Sequence, residues 1–550
     1  MTHPVPPRYF WLWHLAALKV IDLELATASA APSDLSLSSL RPSAGARVTR
    51  TLWDELDVGP DREAMVALID TGVSRRHPNL ASRIDTDRSI DLTTHRYGAQ
   101  HIGPAPDTLP SEREAKKAFF TGLDISALTV AGLTLHETDF LAALVADYAG
   151  SQGVVRRLAE PEELFAVHGT ACAGLIVGEP AVVAAPGTTV AEPPEAVLSG
   201  GAINPNQNLL PYFGVDPFSR LLSIRTSFEE DPYQYIAALL YAWHCRVDAI
   251  VMPRGFPDPV RSRLSPKESL KANLEIWANR RTADLFHRLQ QAPAETDAGA
   301  SQPGFLTDRP WKILRQLLLA ISQHIPVFCA AGNDGESQLI YPANLAEKSN
   351  GIIAVGAVTA EGFRSGYSNY GDGLTMVMPS SDFEILNRHQ TRLDRNDPLL
   401  AMHDFNLGSG VDIVHCPLEL VTTDLPGVFG YDGGAPPWSS VLPGEGDAAA
   451  GGGYYTAFGG TSGAACLAGG LAALAQRARR GAGKVPFTGP QMKAALVAAS
   501  STGAVVTPGN RILTPDPINT DDEIFMESAH FFGAGLPDAR RLVARARSEA

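Results

Sequence analysis

Four short motifs in the chain each carry one residue suited to acyl-transfer chemistry. They are Asp70 in "ALIDTGV", His168 in "HGTACAGLIVG", Asn333 in "AAGNDG" and Ser462 in "GTSGAA". A serine hydroxyl becomes a nucleophile when a histidine accepts its proton and a carboxylate orients that histidine. A side-chain amide can donate a hydrogen bond to the oxyanion that forms on the attacked carbonyl. Together, these residue types indicate catalysis through a covalent acyl intermediate.

Each of these residues also has a simpler structural interpretation. Asp70 is typical of a turn, and Asn333 of a loop position with left-handed backbone. His168 fits a surface or capping residue at a helix start, and Ser462 fits the N-cap of an Ala/Gly-rich helix. The order Asp, His, Ser along the chain is nevertheless one of three known for Ser/His/Asp triads. The residues are far apart in sequence, so only tertiary folding can bring them together.

The segments between the motifs predict alternating strands and helices. Apolar runs of strand length occur at 64–70, 220–226, 248–253, 325–332 and 351–358. Helical patterns at 231–245 and 310–324 each precede one of these runs. Such alternation is typical of βαβ units whose strands are covered on both faces. We therefore expect an α/β fold with a mostly parallel central sheet flanked by helices, and with the candidate residues at strand ends.

In this order the four motifs resemble those of the subtilisin-like serine proteases (subtilase, peptidase S8 type). Collinear segments such as "HPNL", "YPANLAEKSNGIIAVGAV" and "FGAGLPDARRL" extend the resemblance. It implies a subtilisin-like fold and a serine endopeptidase in which Ser462 attacks the scissile carbonyl. His168 would transfer the proton, and Asp70 would hold the imidazole. Asn333 and the Ser462 N–H would stabilise the oxyanion.

The resemblance also indicates where an extended protein or peptide substrate binds. Six residues are expected to line the cleft: Pro253, Arg254, Gly255, Ala330, Ala331 and Gly332. The segment containing Pro253 would pair with the substrate as a strand, although proline cannot donate one of the hydrogen bonds. Arg254 is expected to point to solvent, with contact to an acidic substrate side chain as the alternative.

Three positions near Ser462 depart from the family pattern. Gly463 stands where the family usually has Met, and Cys466 and Leu467 stand where it usually has Pro-His. None of these positions carries a proton in the mechanism. The missing Met side chain is expected to leave open space beside Ser462.

The chain divides into an N-terminal extension with a linker, residues 1–50, and a peptidase domain, residues 51–550. This domain has predicted insertions near 85–160, 256–308 and 380–418, which are richer in charged and polar residues than the strands. We expect the first and third insertions to cover or complete the cleft and to respond to a regulatory protein partner.

Composition limits the partners and the compartment. The formal net charge of −15 disfavours binding to nucleic acid or to an anionic membrane. The five cysteines are scattered, so each is expected to be a small buried residue, not part of a disulfide framework or zinc site. The apolar run at 9–18 is a poor signal peptide, and a pro-segment before Asp70 is not expected. A cytoplasmic location is therefore expected, with secretion as the less favoured alternative.

The proposed chemistry needs no metal or cofactor. Calcium is common in the family, but its ligands cannot be placed in this sequence, and the acidic clusters 85–87 and 519–523 are expected to be solvated. Two other functions stay open. One is a catalytically silent subtilisin-like protein that binds peptides or scaffolds a partner. The other is a peptide ligase or cyclase with the same chemistry.

Overall fold

The computed structural model of the protein describes most of the predicted peptidase domain. It describes residues 12–24, 47–56, 62–92 except 76, 119–149, 156–157, 166–179, 212–226, 232–256, 309–381 except 360, 361 and 363, 420–425, 430–431, 454–505 and 528–549. The predicted linker, almost all of the predicted insertions at 256–308 and 380–418, and the acidic cluster 519–523 lie outside the described residues.

The strands and helices are numbered in chain order. The strands are β1 Ile21–Glu24, β2 Arg47–Thr51, β3 Met65–Asp70, β4 Ile90–Asp91, β5 Arg156–Arg157, β6 Arg220–Arg225, β7 Ala249–Met252, β8 Val327–Ala330, β9 Ile352–Val358, β10 Leu374–Pro379, β11 Leu420–Thr423, β12 Tyr455–Phe458, β13 Ser500–Ser501 and β14 Leu536–Pro537. The helices are α1 Trp13–Ala17, α2 Leu135–Ala149, α3 Val167–Val177, α4 Pro232–His244, α5 Arg309–Ser322, α6 Gly460–Gly481, α7 Gly489–Ala499, α8 Ser528–Phe532 and α9 Ala539–Ser548. Short 3-10 helices occur at Trp53–Glu55, Ala343–Leu345 and Thr502–Ala504.

The central sheet has the strand order β10-β9-β8-β7-β3-β6-β4-β5. Seven neighbouring strands are parallel, and only β5 at the edge is antiparallel to its neighbour β4. The five predicted strands are present as β3, β6, β7, β8 and β9, and the two predicted helices as α4 and α5. The predicted α/β fold with a mostly parallel sheet is therefore confirmed. Strand β10 was not predicted, although it also lies in this sheet.

Small residues let the helices approach their neighbours closely. A Cβ atom on Gly469 of α6 would lie only 2.3 Å from the Cγ2 of Val251 in β7. A Cβ on Gly174 of α3 would lie 2.2 Å from the Thr423 Oγ1 of β11. Both distances are far below a normal van der Waals contact, so larger residues would push these helices outward. These small residues thus set how closely α3 and α6 pack against their neighbours.

The N-terminal segment packs against the C-terminal helix. Strand β1 pairs with β2 in an antiparallel ladder, and the predicted boundary at residue 50 lies inside β2. The backbone N–H of Ala539 donates to the Leu18 carbonyl at 2.9 Å, and Leu18 is fully buried. In the described ranges no helix combines the length and apolar character needed to cross a bilayer.

The described part of the first predicted insertion contributes to the fold in two ways. Strand β4 extends the central sheet, and α2 is tied to α5 by an ion pair between Glu137 and Lys312, with 2.7 Å from Oε2 to Nζ. The carboxylate of Asp85 is buried and bound to Arg88 at 2.6 Å. The expectation that the cluster 85–87 consists only of solvated acids is therefore wrong for Asp85.

Two buried histidines are held in the neutral form. Neither ring nitrogen of His14 has a hydrogen-bond partner within the described chain, and burial lowers its pKa to about 3. Burial also lowers the pKa of His77 to about 4, against the opposing effect of a hydrogen bond to the Tyr454 carbonyl. His77 Nδ1 accepts a hydrogen bond from the Asn79 N–H at 3.1 Å, so protonation of Nδ1 would break this bond.

We expect acid to destabilise the protein through these histidines. The unfolded chain protonates each imidazole near pH 6.5, whereas the folded chain resists protonation to much lower pH, so stability falls as pH drops below 6.5. His14 alone should cost about 2–3 kcal/mol between pH 7 and pH 4.5. Denaturant unfolding at both pH values should show a smaller loss for His14→Leu than for the wild type. The exposed His136→Leu serves as control; a pH dependence of His14→Leu equal to that of wild type would contradict the expectation.

Candidate active site

The candidate residues meet where strand ends face two helix starts. Asp70 is the last residue of β3, while Pro253 directly follows β7 and Asn333 lies three residues after β8. Because β8, β7 and β3 are adjacent and parallel, their carboxyl ends lie at the same edge of the sheet. His168 and Ser462 lie in the first turns of α3 and α6. Hydrogen bonds connect these elements into two clusters, one around Asp70 and one around Ser462.

The first cluster joins Asp70 to His168. The His168 Nδ1 lies 3.0 Å and 2.9 Å from the two carboxylate oxygens of Asp70. The N–H and hydroxyl of Thr71 also donate to Asp70 Oδ1, at 2.6 Å and 3.0 Å. A Cβ on Gly169 would lie 1.9 Å from the Gly72 carbonyl oxygen, so only glycine after His168 allows α3 to dock against this turn. The carboxylate is therefore buried, fully bonded and fixed against the imidazole.

The pKa shifts of the pair have opposite directions. Burial raises the pKa of Asp70, but the charge and hydrogen bond of His168, the charge of Arg254 and the hydrogen bond from Thr71 together outweigh burial and hold that pKa below its ordinary value. Burial lowers the pKa of His168, but the Asp70 carboxylate outweighs it and raises that pKa well above its ordinary value. Asp70 thus stays ionised and favours the protonated imidazole.

The second cluster surrounds the start of α6. This helix has Gly459 at its N-cap and begins at Gly460, so Ser462 is its third residue. The interpretation of Ser462 as the N-cap is therefore wrong. The Ser462 Oγ donates to the Pro253 carbonyl at 2.7 Å, and no hydrogen bond connects it to His168 in the described chain. Catalytic hydrogen bonds are often long or absent in ligand-free enzymes and form when substrate binds.

The backbone N–H of Ser462 stands out in the first turn of α6. An N–H group this close to a helix start has no acceptor within the helix and needs one elsewhere. Its neighbours have acceptors: Gly460 N–H bonds to Tyr367 Oη at 3.0 Å, Thr461 N–H to Asn333 Oδ1 at 2.8 Å and Gly463 N–H to the Gly459 carbonyl at 3.2 Å. For Ser462 N–H, the described residues supply no acceptor. This donor is free to bind an anion at the positive end of the helix.

Thr461 orients the side chain of Asn333. Its N–H and its hydroxyl both donate to Asn333 Oδ1, at 2.8 Å and 2.9 Å. The Thr461 Oγ1 also accepts from the Gly332 N–H at 3.1 Å. Because the amide oxygen is bound twice, the Asn333 NH₂ group is the end available to donate. Thr461 lies within the "GTSGAA" motif, but its orienting role depends on contacts with the loop after β8 that the sequence does not show.

Asn369 fixes the loop that follows Asn333. It is almost fully buried, and its Oδ1 accepts from the N–H groups of Asp334 at 2.8 Å and Glu336 at 3.2 Å. Its Nδ2 donates to the Gln338 carbonyl at 2.9 Å. No motif identified Asn369, because it acts through loop atoms that are more than thirty residues away.

The predicted cleft residues divide by exposure. Gly255 is exposed, whereas Pro253, Arg254, Ala330, Ala331 and Gly332 are buried. The guanidinium of Arg254 donates to the Tyr235 hydroxyl and lies over its ring, 5.4 Å from the centroid. The expectation that Arg254 points to solvent is therefore wrong.

The space expected beside Ser462 is filled. A Cβ on Gly463 would lie 2.8 Å from the Leu420 Cδ1 and 3.4 Å from the Phe458 Cδ1. Leucine and phenylalanine side chains thus take the volume of the missing methionine, and the expectation of open space is wrong. Phe458 also packs edge-on against His168, with 5.5 Å between ring centroids.

The cysteines of the described chain are unpaired thiols. Cys172, Cys329 and Cys466 are buried and Cys245 is partly buried, whereas Cys416 lies outside the described residues. The Cys172 Sγ lies 3.8 Å from His168 Nδ1, and burial raises the pKa of this thiol well above its ordinary value. Asp70, His168 and Cys172 also form a cluster of potential metal-binding side chains, with donor atoms within 4.8 Å of one another. The Asp70–His168 hydrogen bond already uses two of these donors.

Comparison with known proteins agrees with the motif order. The model of the Subtilase family matches residues 61–535. No curated protein matches the chain. Among the similar solved structures is a lanthipeptide protease, with 13% identity, a TM-score of 0.43 and an alignment that covers 98% of this chain and 95% of that one. An epidermin leader peptide processing serine protease from Staphylococcus aureus has 13% identity, a TM-score of 0.42 and coverage of 90% of this chain and 78% of that one. A protease from Pseudoalteromonas arctica has 14% identity, a TM-score of 0.41 and coverage of 90% of this chain and 92% of that one.

The orientation of Asn333 by Thr461 can be tested by substitution. Thr461→Val keeps the shape and the backbone N–H but removes the hydroxyl, so Asn333 Oδ1 keeps only the backbone hydrogen bond and the amide should be held less firmly. Loss of an oxyanion donor costs about 10²–10³ in kcat, and we expect Thr461→Val to lose about 10-fold or more with KM little changed. Kinetics on p-nitrophenyl acetate would measure this. Thr461→Ser, which keeps the hydroxyl, should stay near wild type; equal losses in both variants would contradict the assignment.

Proposed function

This chain belongs to the subtilase family of serine proteases, and we propose that it hydrolyses internal peptide bonds through an acyl-enzyme intermediate. The observation that carries the proposal is the contact of His168 Nδ1 with both oxygens of the buried Asp70 carboxylate. This contact leaves Nε2 as the basic nitrogen of the imidazole. The imidazole packs against Phe458, which lies two residues before the helix that carries Ser462.

In the proposed first step, Ser462 is the nucleophile. Its hydroxyl turns from the Pro253 carbonyl toward His168 Nε2, and its oxygen attacks the carbonyl carbon of the scissile bond. The hydroxyl proton moves to Nε2 as the carbon–oxygen bond forms. Asp70 stabilises the imidazolium, in keeping with the raised pKa of His168.

Two donors then stabilise the tetrahedral oxyanion. They are the Ser462 N–H, which lacks an acceptor among the described residues, and the NH₂ group of Asn333, oriented by Thr461. Because both are fixed before substrate arrives, they need little reorganisation when the charge forms. The imidazolium next returns its proton to the leaving amine, and a water molecule, activated by the same histidine, hydrolyses the acyl-enzyme.

The substrate in this proposal is an extended protein or peptide segment. Gly255 is the exposed residue of the predicted substrate strand, and its backbone can pair with such a segment. We also propose that a protein partner regulates access to the cleft and that the enzyme works in the cytoplasm. The chemistry itself uses only residues of this chain and water.

A fluorophosphonate probe tests the proposal directly, because it forms a covalent bond only with an activated serine. We expect stoichiometric labelling of the wild type and none of Ser462→Ala. Labelling of His168→Ala should be slower by about 10³-fold or more, as expected when the general base of a triad is removed.

The experiment needs proof that each protein is folded. Circular dichroism and thermal unfolding should show that both variants resemble the wild type. Absence of labelling in folded wild-type protein, with and without added calcium, would contradict the proposal and favour a catalytically silent peptide-binding protein.

A further inference from the structure

We infer that Ile340 closes the primary pocket of the cleft and restricts cleavage to bonds that follow a residue with a very small side chain. The primary pocket is defined here as the gap between residues 253–255 and residues 330–332. It would receive the side chain of the P1 residue, which supplies the scissile carbonyl. The inference rests on the proposed function and names the class of substrate that the same site accepts.

The backbone around Ile340 joins the two walls of this pocket. The Ile340 N–H donates to the Ala331 carbonyl at 3.0 Å, on the wall that follows β8. The neighbouring carbonyl of Tyr341 accepts from the Phe256 N–H at 3.0 Å, on the wall that follows β7. Residues 340–341 therefore cross from one wall to the other, and they hold the walls at a fixed separation.

The side chain of Ile340 fills the space between a glycine on each wall. A Cβ built on Gly255 would lie 2.6 Å from the Ile340 Cδ1. A Cβ built on Gly332 would lie 2.7 Å from the Ile340 Cγ2. Both distances are too short for carbon atoms in contact, so even one methyl group on either glycine has no room. The two branches of Ile340 thus reach both walls.

Ile340 borders the cleft and is not part of the core. Its flanking residues Leu339 and Tyr341 are each only 3% exposed, whereas Ile340 is partly exposed and Gly255 is exposed. The isoleucine side chain is therefore in contact with solvent at the place where a substrate side chain would enter.

The positions of the two pocket walls relative to Asn333 and Ser462 identify the pocket as the P1 subsite. Gly332 immediately precedes Asn333, a proposed donor to the oxyanion. Gly255 lies two residues after Pro253, whose carbonyl contacts the Ser462 Oγ. The gap between these walls is therefore next to the scissile carbonyl, where the P1 side chain must lie.

The pocket has little freedom to widen around a larger side chain. Gly332 is anchored through its carbonyl, which accepts from the Asn369 N–H at 3.0 Å. Phe256 stacks on Tyr235 at a centroid distance of 4.4 Å and packs edge-on against Tyr341 at 5.2 Å. Packed aromatic rings and a buried asparagine hold both walls, so P1 is limited to Gly, Ala or Ser.

The test uses succinyl tetrapeptide p-nitroanilides that are identical except for Ala, Leu or Phe at P1. For the wild type we expect kcat/KM for the Ala peptide to exceed that for the Phe peptide by about 100-fold or more. Ile340→Gly should raise the ratio of kcat/KM for the Phe peptide to kcat/KM for the Ala peptide by about 30-fold or more. Equal cleavage of Ala and Phe peptides by the wild type would overturn the inference.

A graded series separates pocket size from general damage. Ile340→Val removes only the Cδ1 next to Gly255, and Ile340→Ala also removes the Cγ2 next to Gly332. Acceptance of Leu should therefore increase from Val to Ala, and acceptance of Phe should be largest for Gly. Thermal unfolding would show that each variant is folded. A loss of all three activities in parallel, without a change in their ratio, would contradict the inference.

A binding measurement keeps the inference distinct from the proposed hydrolysis. In Ser462→Ala, which cannot form an acyl-enzyme, calorimetry with the corresponding peptide amides should show tighter binding of Ala than of Phe at P1. Adding Ile340→Gly should remove this preference. If the wild type fails to react with fluorophosphonate but these preferences hold, the proposed function fails and the pocket assignment stands. If the preferences are absent, the pocket assignment fails.

Discussion

A buried carboxylate bound to an imidazole is the interaction on which the candidate site depends. Removing Asp70 from water is costly, and four contacts offset that cost: two with His168 Nδ1 and two with Thr71. These contacts require α3 to touch the turn after β3, which the glycine at position 169 permits. The sheet covers the carboxylate, and the small residues of α3 let the helix reach it. The fold and the ionisation of one side chain are thus linked.

The start of α6 provides the second constraint. Its first N–H groups bond to Tyr367 and Asn333, and the donor of Ser462 is left available for an anion. Close packing of α6 at Gly469 sets the depth of the helix against β7, and therefore the height of Ser462 above the strand ends. A larger residue at Gly469 would therefore displace Ser462, which lies about two turns away. Packing and catalytic geometry cannot be separated in this helix.

Much of the fold could be predicted because its determinants are local. Apolar runs marked β3, β6, β7, β8 and β9, and the four motifs placed candidate residues at strand ends and helix starts. Contacts between segments distant in sequence were not visible. The environment of Arg254, the filling of space at Gly463, and the roles of Asn369 and Ile340 all depend on which loops meet after folding. Strand β10 was missed because its short apolar segment has no distinctive periodicity in the sequence, and only its pairing with β9 identifies it as a strand.

The proposed catalysis requires Asp70, His168 and Ser462 to act as one unit, and non-additivity of substitutions measures this most directly. Residual kcat on a P1-Ala peptide would be measured for Ser462→Ala, His168→Ala and the double variant, each verified as folded. If the two residues act as one unit, each single substitution should lower kcat nearly as much as the double substitution, because removal of either residue abolishes the same step. A fold-loss in kcat for the double variant equal to the product of the two single losses would show that the two residues act independently, and would contradict the proposed catalysis.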